Sequence, residues 1–460
     1  MPGANGPRDQ WRLWAPVGAT LLAGIALAAA PGNQRLVATI WILALGAIAS
    51  WGRPDRLAWC WGFLLPIDFL TAVPTLVLDV VRYGGLIWLC LEFTPDLTPA
   101  RKPIVTRLAL LVGAVALVRG VGSIARADRF GMFIAGVMLV GAVAAPFVAV
   151  RVRAHVSVLA GFMAGVLLSA LVSVMQSLEI TSLREGFPSI ERYPGLASTT
   201  MLLTWHLAFG LIIACYFLVA RRDVPLHRAV AIALIPIGSM AMVINGAQGG
   251  LAGLGLAALA VAAFGWRLVT WRQARPFVLG GVAVAASIFA LVIVSGVATP
   301  TIDEIGGRGG YGNAVARYDV NKQGIEELIA NPIFGMGRTN FATKYRGENG
   351  SLLAPHFLPL EAGVTSGIVG FALAAVLLGT LLVVIWRGPV GHRPEAWLGL
   401  ALCAAMFGNS LTETGGPFTG LPRFALLLIA VVACQGEPWP PAVAATADER
   451  LTAGSPSPDR

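Results

Sequence analysis

Charge is what this sequence most conspicuously lacks. Only 12% of its 460 residues are Asp, Glu, Lys or Arg, about half the share found in an ordinary soluble domain. Lysine is nearly missing, with Lys102, Lys322 and Lys344 standing among 33 Lys+Arg residues. The five cysteines are Cys60, Cys90, Cys215, Cys403 and Cys434. All fall in apolar runs, which excludes a disulfide-stapled secreted scaffold and a cysteine-based metal site. Scarce charge with abundant apolar residues excludes a disordered chain and an ordinary soluble enzyme. What is present instead is apolar: 56% hydrophobic residues and a mean hydropathy of +0.74. That is the composition of a polytopic, all-α membrane protein.

The net charge is +9. The basic residues sit between apolar runs, so they read as cytoplasmic loop charge and not as a nucleic-acid surface. Apolar runs mark candidate spans near 13–30, 35–50, 57–74, 76–94, 104–123, 130–150, 155–178, 199–220, 229–246, 249–266, 277–298, 357–386, 396–411 and 421–435. Several are shorter than the ~20 residues of a straight span, so the expected count is 12 to 14. Arg8 and Arg12 before the first run resemble a signal peptide, but a second run follows at once and favours a retained span. Basic clusters at Arg53–Arg56, Arg101-Lys102, Arg151–Arg153, Arg221–Arg228, Arg267–Arg275 and Arg387–Arg393 fall on one side. That side is cytoplasmic by the positive-inside rule. Both termini are then inside, and residues 179–198 and 299–356 are outside. Arg126 and Arg129 violate the rule in a short outside loop. Residues 1–436 read as the membrane domain, and 437–460 as a disordered cytoplasmic tail.

Residues 299–356 form the one long polar stretch between spans, and a loop of that length is functional or carries its own structure. From Asn313 to Ala330, Ala314, Tyr318, Ile325, Leu328 and Ile329 share a face at ~100° per residue, with Asp319, Gln323, Glu326 and Glu327 opposite. This predicts an amphipathic helix suited to the outer membrane surface, ended by Asn331-Pro332. Gly335 and Gly337 flank Met336 and permit a tight turn, with Arg338 next. Pro355-His356 marks the junction with the following span. His206, inside a span, reads as a packed core histidine. Arg192 precedes the span at 199, and Asn245-Gly246-Ala247-Gln248-Gly249-Gly250 makes a tight turn between two spans. Asp68, Asp79, Arg82, Glu92, Arg107 and Arg119 lie in or near spans, where charge is costly.

The order of these features resembles the O-antigen ligase and O-antigen polymerase superfamily. The resemblance rests on Arg192-Tyr193-Pro194-Gly195, Gly246-Ala247-Gln248-Gly249-Gly250 and Arg317. It continues through Asn331-Pro332-Ile333-Phe334-Gly335-Met336-Gly337-Arg338-Thr339-Asn340-Phe341 to His356, Glu361-Ala362-Gly363 and Gly367-Ile368-Val369-Gly370. It covers about residues 190–375. Gln248 stands where that family carries a turn arginine, and His356-Phe357 where it commonly has His-Asn. The resemblance implies a metal-independent glycosyltransferase without a cofactor, acting on the outer face of the cytoplasmic membrane. Its donor would be a polyprenyl-diphosphate-linked glycan, and its acceptor a glycan, lipid or cell-wall group. It further implies His356 as base, Arg317, Arg338 and Arg192 on the diphosphate, and Gln248 and Glu361 in support. Arginine forks suit a diphosphate leaving group. A ligase is the first reading and a chain-extending polymerase the second. A transporter or flippase is third, because it calls for an internal repeat that the chain does not show.

Overall fold

In the computed structural model, the described residues are 54–67, 102–128, 154–180, 193–197, 200–220, 225–245, 248–268, 311–345, 355, 358–387 and 394–412, plus isolated positions between 131 and 139 and at 275, 279 and 286. They are helical, with no strand among them: α1 (Pro54–Leu64), α2 (Lys102–Ala125), α3 (Ala154–Ser177), α4 (Thr200–Ala220), α5 (Pro225–Ile244), α6 (Gln248–Leu268), α7 (Tyr311–Ala330), α8 (Arg338–Lys344), α9 (Leu358–Arg387) and α10 (Pro394–Thr412). The all-α reading holds. Val156–Ser177, Leu202–Val219, Pro225–Ile244 and Pro359–Val383 are long and apolar enough to cross a membrane. The chain is therefore a multi-pass membrane protein. The N-terminal spans, the full span count, Asp68, Asp79, Arg82, Glu92 and the tail 437–460 lie outside the described residues.

Several helices begin where proline tolerates a start. Pro54, Pro225 and Pro394 occupy first helical positions, where a missing N–H costs nothing. α4 is apolar all round and is the hub: Trp205, Phe209 and Phe217 are fully buried, and α3, α5, α6 and α10 pack on it. His206 is buried there, its ring edge-on to Phe162 at 5.9 Å, as expected of a core histidine. α1 and α3 cross at backbone contact, because Gly62 and Gly161 face Val158 and Trp59 carbonyls and have no side chain to hold them apart. Cys60, Cys215 and Cys403 form no disulfide among the described residues.

α2 packs on α9. It buries Val112, Val115 and Ala116 and exposes Leu110, Leu117, Val121 and Ile124 on its other side. α2 thus has one face packed on protein and one exposed apolar face. α9 also packs on α10, and the short connection between them makes the pair antiparallel. Gly253, early in α6, meets Ala405 and Asn409, late in α10. The start of α9, the end of α10, the start of α6 and Asn245 at the end of α5 therefore share one end of the bundle.

Candidate active site

At that end, three short stretches are held by hydrogen bonds, the first to α3 and Asn245 and the other two to each other. The first is Tyr193–Ala197. Gly195 has φ +62, and a side chain there would collide with the Ser169 carbonyl at 2.3 Å. Its N–H donates to Gln176 Oε1 at 2.9 Å, and the Leu196 N–H to Ser169 Oγ at 3.0 Å. Asn245 accepts from the Tyr193 N–H at 2.8 Å and donates to Ser173 Oγ at 2.9 Å. The Arg-x-x-Gly element thus ends in a glycine that the ends of α3 and α5 require. Arg192 itself lies outside the described residues.

The second stretch is 331–337, and the third is a break in α9. Gly367 has φ 76 and ψ −170, so the helix is interrupted within its apolar length. An unbroken helix would bond the Ile368 N–H to the Val364 carbonyl. Here the Ile368 N–H donates to the Pro332 carbonyl at 2.7 Å. The freed Val364 carbonyl accepts from Met336 N–H at 2.7 Å and Gly337 N–H at 3.1 Å. The loop and the broken helix have exchanged partners. Gly335 (φ +66) and Gly337 (φ +87) form the turn foreseen from their spacing. A side-chain carbon on Gly335 would lie 2.5 Å from the Val364 carbonyl oxygen.

This exchange sets Arg338 at the first position of α8, beside the first turn of α9. Its Nη1 lies 3.5 Å from Glu361 Oε1, and the Glu361 side chain is only 4% exposed. α2 ends against the same place. Arg126 Nη1 donates to the Gly122 carbonyl at 3.2 Å and, at 3.5 Å, to the Thr365 carbonyl next to the break. Asp128 accepts from the Gly131 N–H at 3.0 Å and from Thr339 Oγ1 at 2.9 Å. Arg119 lies one helical turn before Ser123 and is 3% exposed. The result is a group of Arg119, Arg126, Arg338, Asp128 and Glu361.

α7 and α8 are bound to each other and to α9 by a small separate core of Val320, Phe341, Leu360 and Val364. Glu327, on α7, accepts from Lys344 and from the Tyr345 hydroxyl, the latter at 2.6 Å. The Asn331 amide donates to it at 3.2 Å. The Lys344 bond, then the Tyr345 bond, hold the Glu327 carboxyl below the usual carboxylate range. The same bond raises Lys344. Burial first, then its bond to Glu327, raises the Tyr345 phenol.

Of the residues singled out in the sequence, Arg338 and Glu361 come together. Arg317 lies in α7 and Gln248 opens α6, but their side chains are outside the described residues, as is His356. Pro355, just before His356, is buried; a side-chain carbon on Gly324 of α7 would lie 3.0 Å from its Cγ. The expected polarity of α7 needs one correction. Glu327 was expected on the polar face, away from the apolar residues, and it is buried at 5% exposure. Tyr318, Ile325 and Ile329 are the exposed side. The helix packs on α9 through Val320 and Leu328, turns Glu327 toward Lys344 and Tyr345, and leaves Tyr318, Ile325 and Ile329 outward.

Arg119, Arg126, Asp128 and Thr339 were not foreseen in this group. Two signals pointed to them: Arg119 is a charge within a span, and Arg126 breaks the positive-inside rule.

The O-antigen ligase family matches residues 231–375, a segment containing the loop 331–337, Arg338, Glu361 and the break in α9. No curated protein and no solved structure matches the chain significantly. The domain match, over the stretch whose backbone forms the locked end of the bundle, supports assigning this multi-pass membrane protein to the O-antigen ligase/polymerase family.

Proposed function

We propose that this chain is a membrane glycosyltransferase that moves a glycan from a polyprenyl diphosphate to an acceptor hydroxyl at the outer face of the cytoplasmic membrane. The observation that carries the reading is Arg338, fixed by the backbone exchange at Gly367 and paired with buried Glu361 at the end of a spanning helix. The family match favours the same class of chemistry. In the reaction, the acceptor oxygen attacks the anomeric carbon, and the bond from that carbon to the diphosphate oxygen breaks. Arg338, with Arg317 and Arg192, binds the diphosphate as it takes up negative charge. His356 receives the acceptor proton. Gln248 supports the site from the start of α6. Glu361 holds the Arg338 fork in one orientation, since a charged bidentate donor positioned beforehand loses little on binding.

The acceptor end is read as a ligase, which delivers a finished glycan. Product length separates this from a polymerase, because loss of long chains on inactivation marks a polymerase and accumulation of full-length lipid-linked chains marks a ligase. The direct test uses proteoliposomes with a lipid-linked oligosaccharide donor. Arg338→Ala should lower transfer by about 10²–10³-fold, the usual cost of removing one charge-stabilising donor. Arg338→Lys, which keeps the charge but not the fork, should recover only part of it. Wild-type transfer by Arg338→Ala would overturn the assignment.

A further inference from the structure

The arginine–carboxylate group does not balance. Among the described residues, three guanidiniums face two carboxylates, and each carboxylate already has a partner. Glu361 pairs with Arg338 at 3.5 Å. Asp128 serves the Gly131 N–H and Thr339. Arg126 spends its Nη1 on two backbone carbonyls. Arg119 remains.

Its position is unusual. Val112, Val115, Ala116 and Arg119 follow one another along the buried face of α2, the face turned toward α9, so the arginine occupies a place where a core residue is expected. Its Nε and Nη2 are buried and have no hydrogen-bond partner among the described residues. Glu361, Arg338 and Asp128 are near enough to act on it electrostatically, with Glu361 the strongest of the three. None of them forms an ion pair with it among the described residues. A buried guanidinium with unbonded N–H groups costs several kcal/mol, roughly. Apolar substitution would remove that cost, so a structural role does not account for the residue. Its donors need an anion with oxygens in the spacing of a fork, which carboxylates and phosphates both offer. The two carboxylates nearby already have partners, and among the described residues neither bonds to Arg119.

We propose that Arg119 is a phosphate-binding residue. From within span α2, its guanidinium takes phosphoryl oxygens of a membrane lipid whose headgroup enters between α2 and the start of α9, with Arg338 on the opposite side. The lipid is the polyprenyl diphosphate of the donor, and on this point the inference rests on the transferase reading above. A bulk phospholipid headgroup offers the same oxygens. Arg119 lies outside the segment 231–375 that matches the O-antigen ligase family, so the site is completed by the N-terminal half of the chain.

The test uses the full chain in nanodiscs. Binding of a polyprenyl diphosphate and of phosphatidylglycerol is measured by native mass spectrometry, and ligand-free melting temperature is recorded in parallel. Arg119→Met should weaken polyprenyl diphosphate binding by about tenfold to a hundredfold, the loss expected for charge-assisted hydrogen bonds. Its ligand-free melting temperature should be unchanged or higher. Arg119→Lys should fold like the wild type and bind at an intermediate level. The proposal is overturned if Arg119→Met binds the diphosphate as tightly as wild type does. It is overturned equally if Arg119→Met melts earlier while Arg119→Lys binds normally, since the residue is then a structural cation. Should the wild type bind phosphatidylglycerol through Arg119 and ignore polyprenyl diphosphate, the phosphate site stands and the transferase reading falls.

Discussion

Gly367→Ala tests the backbone exchange on which the site depends. The residue sits at φ 76 and ψ −170, a region open essentially to glycine, and holding alanine there costs about 1–3 kcal/mol. The added carbon would also lie 2.3 Å from the Ile333 carbonyl oxygen and 2.5 Å from that of Pro332. Forcing a carbon into packed backbone costs a further ~1–3 kcal/mol. The chain has a cheaper course. Straightening α9 restores the Val364 carbonyl to the Ile368 N–H, and alanine favours helix over glycine by about 1 kcal/mol. The expected outcome is thus a straighter α9 and a released loop, not global unfolding. Hydrogen exchange should show the Met336 and Gly337 amides losing protection, and transfer should fall at least as far as in Arg338→Ala, with little change in melting temperature. Gly379→Ala, in the same helix with nothing within 4 Å of the new carbon, should leave transfer intact and stability equal or up to ~1 kcal/mol higher. Wild-type transfer with protected Met336 and Gly337 amides in Gly367→Ala would refute the reasoning.

The remaining predictions concern the supports of the site. Asn245→Ala removes the buried acceptor of the Tyr193 N–H and the donor to Ser173; it should cost about 1–3 kcal/mol in thermal unfolding and reduce transfer by displacing the Arg192 segment. Glu327→Gln should loosen α8, read as faster protease cutting near Lys344 at neutral pH. The same attachment should depend on pH. Glu327 titrates below its ordinary range, so its contribution is full above about pH 4.3 and is lost as pH falls through the lowered value. Lys344 is raised, so its contribution is present below about pH 10.4 and disappears as pH rises through the raised value. Limited proteolysis across pH should show protection between these limits and none of the dependence in Glu327→Gln.

Much of the helix order was legible because lipid imposes long apolar runs. The spans near 199–220, 249–266 and 357–386 match α4, α6 and α9 to within two residues, and the amphipathic segment from Asn313 matches α7 from Tyr311. The turn at Gly335 and Gly337 was legible from glycine spacing alone. The orientation of α7 was not. Periodicity separates a polar face from an apolar one, but beside a bilayer it does not decide which face meets protein, and here Glu327 turns inward because Lys344 and Tyr345 satisfy it. The break in α9 was hidden too, since Gly367 is one of several glycines in an apolar run and its reason lies in the Pro332 carbonyl. Arg126 registered only as an exception to a charge rule. Its partner at Thr365 is 239 positions away, beyond the reach of any local pattern.

The partner exchange at Gly367 also sets an order of assembly. Ribosomes deliver α2 first, then the stretch holding Pro332, Met336 and Gly337, and α9 only afterwards. Until α9 has entered the bilayer, Arg126 lacks the Thr365 carbonyl and the Met336 and Gly337 amides lack the Val364 carbonyl. Nascent chains arrested before α9 should therefore show rapid exchange at those amides, and chains arrested after it should show protection. Commitment of this end of the bundle comes late in synthesis, when most of the polypeptide is already threaded through the membrane.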